Sequence, residues 1–184
     1  GWRDRYGIDY GDLQWAETGE RLTASTFAEY RETGGMVIVH SMRQEIVDGA
    51  VSSPLTAIAS DGFLQFGKGH PRTAGCYTKV LGHYVRESRN LSLMDAIRKL
   101  ALMPAQRLES LAPAFKKKGR VSVGADADLM LFDPDRVIDR STYKDPMLSP
   151  EGMLHVLVNG VPVVSDGVIQ EGVLPGKGIR SPGA

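Results

Sequence analysis

Two regimes of apolar patterning divide this chain. Between residues 23 and 112, apolar positions either recur every three to four residues or form short unbroken runs. Thr23 to Thr33 carries Phe27 and Tyr30 on one face, Thr26 and Glu29 at capping-box spacing, and Gly34-Gly35 as a stop signal, which predicts a helix. Met36-Val37-Ile38-Val39 follows without alternation, as expected of a strand covered on both faces. Arg43 to Ala50 predicts a short helix burying Ile46, Val47 and Ala50. Leu55-Thr56-Ala57-Ile58-Ala59-Ser60 is a second buried run, ending in Asp61-Gly62. Helix, strand, helix, strand in this order points to βα units and a parallel sheet. A Gly-rich loop then leads to Pro71-Arg72. Tyr77, Val80, Leu81, Tyr84 and Val85 mark one face of a helix over 73–88, and Leu93, Ala96, Ile97, Leu100 and Ala101 mark another, with Ser92 as its N-cap. Pro104 suits the first turn of a further short helix ending at Leu111. Residues 1–22 show no clear period and read as a loop with a hairpin.

Near Pro113 the pattern changes, which places a boundary between residues 1–112 and 113–184. Asp128 to Phe132 reads as a strand, closed by Asp133-Pro134. Asn159-Gly160, between His155–Val158 and Val161–Val164, is a strong hairpin signal. Pro162 cannot donate to a ladder, so its strand is expected at an edge or with an unpaired position. Asp166-Gly167 marks another turn, and the tail from Pro175 reads as irregular.

Composition narrows the function classes. Hydrophobic side chains make up 42% of the 184 residues, enough for a core. The 22 basic and 22 acidic residues cancel, which argues against nucleic acid or an anionic membrane as partner. One cysteine, Cys76, excludes an internal disulfide framework and fits a reducing, cytoplasmic setting; its place beside an apolar helix face reads as half-buried and inert. No apolar run approaches the about 20 residues that span a bilayer. The chain opens at Gly1 rather than Met, and Gly-Trp-Arg-Asp reads as mid-domain sequence, so it is expected to be a piece of something larger.

In parallel αβ folds, ligands bind beyond the carboxyl ends of the strands, where His40 and Asp61 stand. A carboxylate there can face a cation or a metal with its activated water, although Asp-Gly also starts ordinary turns. A strand-end histidine is often only a hydrogen-bonded structural residue. Arg72 is suited to gripping a carboxylate with two prongs, and equally to a surface ion pair. His70 precedes the rigid Pro71 and shapes the loop. Lys116-Lys117-Lys118 reads as a solvated linker. The four histidines, His40, His70, His83 and His155, have no His-x-His or His-x3-His spacing, so the chain alone is expected to bind no zinc.

Ile58-Ala59-Ser60-Asp61-Gly62, then Gly69-His70-Pro71-Arg72, then Val80-Leu81-Gly82-His83-Tyr84-Val85-Arg86-Glu87 resembles the N-acyl-D-amino-acid deacylase branch of the amidohydrolase superfamily. The similarity continues through Leu91 to Lys99, Pro104 to Leu108, Lys118 to Leu129 with its Gly-Ala-Asp-Ala-Asp-Leu run, and Val156 to Gly160. The resemblance implies an α/β fold: C-terminal βα units of a (β/α)8 barrel, followed by strands of a small β-sandwich. Residues 36–39 would be barrel strand seven and 55–60 strand eight. Asp61 would be a metal ligand and the catalytic proton shuttle, Arg72 the grip on the substrate carboxylate, with His40 and His70 beside the substrate. The family's other metal ligands have no counterpart here. The implied whole is a zinc-dependent hydrolase of N-acyl-D-amino acids, with this chain an inactive C-terminal fragment that packs on the missing N-terminal part of the barrel or self-associates. A cyclic-amide hydrolase of the dihydroorotase or hydantoinase kind and a non-catalytic interaction fragment are the alternatives. Arg72 argues against the former, because a free carboxylate needs a cation.

Overall fold

The computed structural model describes residues 2–181. Gly1, where the mid-domain opening was read, and the last three residues of the expected irregular tail lie outside them. Helix α1 (Trp2–Tyr6) and a 3-10 turn (Tyr10–Asp12) lead into strand β1 (Leu13–Trp15). Asp9 starts the turn, accepting from Tyr10 N, while Asp12 Oδ2 accepts from Asp9 N at 2.8 Å. Helix α2 (Ala24–Thr33) is capped one turn earlier than the Thr26–Glu29 spacing suggested. Thr23 Oγ1 accepts from Thr26 N and Thr26 Oγ1 accepts from Thr23 N, which satisfies two backbone donors reciprocally.

Strand β2 (Val37–Val39) pairs antiparallel with β1, Leu13 opposite Val39. Ile38 is buried while Val37 and Val39 face outward, so this apolar run is covered on one face rather than both. Beneath it Leu13, Trp15 and Leu22 form a small core, with Trp15 stacked on Tyr30 at 4.3 Å. Helix α3 (Gln44–Ser52) forms as expected, but Ile46 and Ala50 are exposed and Val47 half-buried. It is tied down by Tyr84, whose hydroxyl donates to Asp48 Oδ1 at 2.9 Å.

Residues 55–60 run without a ladder partner. Ile58 is buried and its N–H donates to Lys99 O at 3.1 Å. The parallel pairing expected between this segment and β2 is not formed: every ladder among the described residues is antiparallel. Each run has another neighbour instead, β2 the strand β1 and 55–60 the backbone of a helix. A tight hairpin follows, β3 (Leu64–Gln65) and β4 (Lys68–Gly69), turned by Phe66 and Gly67 at φ 52° and 75°.

Helix α4 (Arg72–Lys79) continues without a break as a π-helical stretch, Val80–Glu87. Val80, Leu81 and Tyr84 pack with Ile58, Ala96 and Val137 into the main core, while Tyr77 of the expected face stays exposed. Helix α5 (Leu93–Ile97), capped by Ser92, runs through a π-helical turn (Arg98–Leu102) into α6 (Met103–Leu108). The two helices expected on either side of Pro104 are therefore one helical stretch. Proline lacks the N–H for its ladder bond, and the widened turn precedes it.

The last sheet is an antiparallel meander, β5 (Leu129–Phe132), β6 (Met153–Val158), β7 (Val161–Ser165) and β8 (Val168–Ile169). Asn159-Gly160 and Asp166-Gly167 turn it, both pairs at positive φ. The register slips beside Leu157, the residue opposite Pro162, which is the irregularity Pro162 predicts. Lys118 is not part of a solvated linker. Its ammonium is held between Asp126 and Asp128.

Candidate functional site

Asp61 lies in the left-handed region at φ 43°. Beside it Gly62 runs against the start of α4, where a Cβ would stand 2.7 Å from Thr73 Cα. Only glycine allows this approach, which lays the Asp61 loop on the first turn of the helix. Arg72 begins that turn. Its Nη2 donates to Asp61 Oδ2 at 2.7 Å and to Asp61 O at 2.9 Å, and its Nε to the same carbonyl at 3.2 Å. Two of the sequence-predicted residues are thus in direct contact, with the guanidinium engaged on Asp61 itself. The Asp61 side chain is 89% exposed, and its Oδ1 makes no hydrogen bond among the described residues. An ion pair this exposed contributes at most about 1 kcal/mol, so a competing carboxylate can displace it.

His70 joins the pair from the other side. Its Nδ1 accepts from Arg72 N at 3.1 Å, and its Nε2 lies 3.3 Å from the Tyr143 hydroxyl. Burial first, then the charges of Arg72, His40 and Lys79, push its pKa down to about 4, so the ring is neutral at pH 7. His40, just past β2, hydrogen-bonds Gln14 Oε1 through Nε2 at 2.8 Å. Burial and Arg21 lower its pKa, against an opposing pull from Asp12. The Tyr143 ring stands between the two imidazoles, 4.6 Å from His40 and 5.1 Å from His70. The structure therefore gathers Asp61, Arg72, His70 and His40, with His40 joined through Tyr143 rather than to Asp61. Tyr143 is the member that the sequence reading missed. The available signal was Gly75 and Gly82, seven residues apart on the helix, where the segment before Tyr143 comes close. Cys76 behaves as expected, half-buried, with its thiol pKa raised by burial.

Among the described residues no group of three His, Cys, Asp or Glu side chains is placed to hold a metal ion. The one free oxygen of Asp61 fits a single ligand and not by itself a zinc site.

The sequence profile of the amidohydrolase family matches residues 47–164. The N-acyl-D-glutamate deacylase of Alcaligenes xylosoxydans xylosoxydans is 45% identical over 106 residues, which are 58% of this chain and 21% of that protein. The N-acyl-D-aspartate deacylase of the same organism is 37% identical over 160 residues, 87% of this chain and 30% of that one. The crystal structure of the N-acyl-D-glutamate deacylase from Bordetella bronchiseptica, complexed with zinc and a phosphonate mimic of the tetrahedral intermediate, aligns at a TM-score of 0.73 and 31% identity. That alignment covers 89% of this chain and 37% of that one. The chain thus spans less than a third of the curated relatives it matches. The expected fold class holds: the solved neighbours are barrel amidohydrolases, and the helices and sheets here correspond to part of one.

Proposed function

Because this chain belongs to the amidohydrolase family, we propose that it supplies one side of the active site of a zinc-dependent hydrolase of N-acyl-D-amino acids. The observation that carries this reading is the contact of Arg72 with Asp61, a carboxylate grip beside an exposed carboxylate with a free oxygen. Asp61 takes a proton from the attacking water and hands it to the departing nitrogen as the C–N bond breaks. The free carboxylate of the substrate replaces Asp61 on the Arg72 guanidinium, which leaves Asp61 available as a base. His70 and His40 line the substrate side, with His70 uncharged. Zinc, in this reading, would be held by Asp61 from this chain together with ligands outside these 184 residues. The division at residue 112 separates the barrel part from the sandwich part, and the setting is cytoplasmic. No helix among the described residues is long and apolar enough to cross a membrane. Exposed Val39, Met42, Ile46 and Phe63 support packing against the rest of a barrel, or self-association in its absence.

The test is Asp61→Asn in the longer enzyme, with turnover and bound zinc measured on one preparation. The substitution keeps the shape but cannot take a proton. A fall in kcat of about 100-fold or more is expected, with zinc content falling less. Unchanged turnover would make Asp61 a turn residue only.

A further inference from the structure

Gly75 and Gly82 lie on one face of the helix that begins at Arg72. A Cβ at Gly75 would stand 2.3 Å from Ser141 Oγ, and one at Gly82 would stand 2.6 Å from Val137 O. Glycine at both positions therefore lets residues 137–141 lie directly on the helix backbone. At the near end Ser141 Oγ donates to Pro71 O at 2.9 Å. Tyr143, two residues further on, is delivered between His40 and His70.

The first N–H groups of α4 have no intrahelical acceptor, and Pro71 at the N-cap offers no side-chain oxygen. His70 fills that role through Nδ1, which faces the Arg72 N–H and so must be bare. In a neutral ring the single proton then sits on Nε2, which points at the Tyr143 hydroxyl oxygen. One chain of contacts follows: Tyr143 Oη accepts from His70, His70 accepts from the Arg72 backbone, and the Arg72 guanidinium holds Asp61.

We propose that Tyr143 is a positioning residue of the site, holding the His70 ring by its Nε2–H so that Nδ1 stays on the Arg72 N–H and caps the turn bearing Arg72. The proposal rests on the reading of Arg72 and Asp61 given above, and its test does not use turnover. Long-range 1H–15N correlations on the 15N-labelled 184-residue chain at pH 7 report which ring nitrogen of His70 carries the proton. The wild type is expected to show a protonated Nε2 and a bare Nδ1. Tyr143→Phe keeps the ring but removes the acceptor. With its ring no longer held on the cap, His70 is expected to become tautomer-averaged and the Arg72 amide to exchange about tenfold faster. A wild-type ring protonated on Nδ1, or a Phe variant with unchanged shifts and exchange, overturns the proposal. Should Tyr143→Phe fail to fold, Ser141→Ala, which unfastens the same segment, is read in the same way. Failure of the Asp61→Asn turnover test leaves this result standing, and the reverse holds too.

Discussion

In the sheet β5–β8 every strand pairs with the strand next to it in sequence, whereas the loop bearing Asp61 and Arg72 is held by residues far along the chain. Ser141 reaches Pro71 across 70 positions, and Tyr143 reaches His70 across 73. Residues 55–60, which lead into the site, have no ladder partner and rest on Lys99 and on Ile58 in the core. Local pairing gives the sheet a shape that its own turns specify. Distant contacts give the site a shape that exists only once the helices have packed. This places the site among the more easily opened parts of the fold, where ligand-binding segments are commonly found.

The strongest way to break this contrast is through Lys99. It is 1% exposed, and its ammonium donates to Ser53 O and, at 3.0 Å, to Thr56 Oγ1. Its own carbonyl accepts from Ile58 N. Lys99→Met keeps the bulk of the stem but removes the charged donor from both oxygens, leaving Ser53 O to Thr56 alone. A loss of about 2–3 kcal/mol in unfolding free energy is expected, read from denaturant titration. Hydrogen exchange should rise at 53–62 and stay unchanged at 153–165. Equal loosening of both stretches would mean that the two regions are one cooperative unit.

The same contrast explains what was legible in the sequence. The hairpin at Asn159-Gly160, the bulge beside Pro162, the Ser92 cap and the Val80-Leu81-Tyr84 face all follow from local chemistry, and the structure has them. The apolar runs at 36–39 and 55–60 were legible as extended segments, but not their partners. Nothing in Val37-Ile38-Val39 says that β1 will pair with it antiparallel, because pairing is a long-range choice. At the site, Asp61, Arg72, His40 and His70 could be nominated one at a time from strand ends and residue chemistry. Their connection through Tyr143 could not, because it depends on two helix glycines admitting residues 137–141 from far along the chain. Lys118 reads as part of a solvated linker for a different reason: nothing in Lys116-Lys117-Lys118 itself shows that Asp126 and Asp128, across a turn, take up its ammonium.

A smaller effect, from pH, sharpens the comparison at the sheet. Asp128 Oδ1 accepts from Asn159 N at 2.8 Å, and Lys118 sits between Asp126 and Asp128. The Asn159 N–H first, and then Lys118, hold the Asp128 carboxyl below its usual range. Asp128 first, and then Asp126, raise the Lys118 ammonium against the effect of burial. A lowered carboxylate contributes stability above its unfolded pKa of about 3.9, lost as pH falls through the folded value. A raised ammonium contributes below about 10.4, lost as pH rises through the folded value. Thermal melts should therefore be flattest between those limits. Asp128→Asn should cost about 1–2 kcal/mol at neutral pH and reduce the slope of the acid limb. An acid limb as steep as that of the wild type would assign the acid loss to other carboxylates and remove this knot from the account of the sheet.

The smallest expected effect is at the turn itself. Gly160 sits at φ 78°, and a Cβ there would meet only Ala127 Cβ at 3.8 Å, an ordinary contact. Gly160→Ala therefore adds no clash, and its whole cost is the left-handed backbone, about 1 kcal/mol. Because the strain stays within the Asn159-Gly160 turn, it should lower the melting temperature by a few degrees while the pairing of Val158 with Val161 survives. Hydrogen exchange would show faster opening at 153–165 and no change at 53–62, the mirror image of the pattern expected for Lys99→Met. If the alanine instead loosened the Asp61 loop, the sheet would be supporting the site. The independence of the local region from the distant one would then have to be given up.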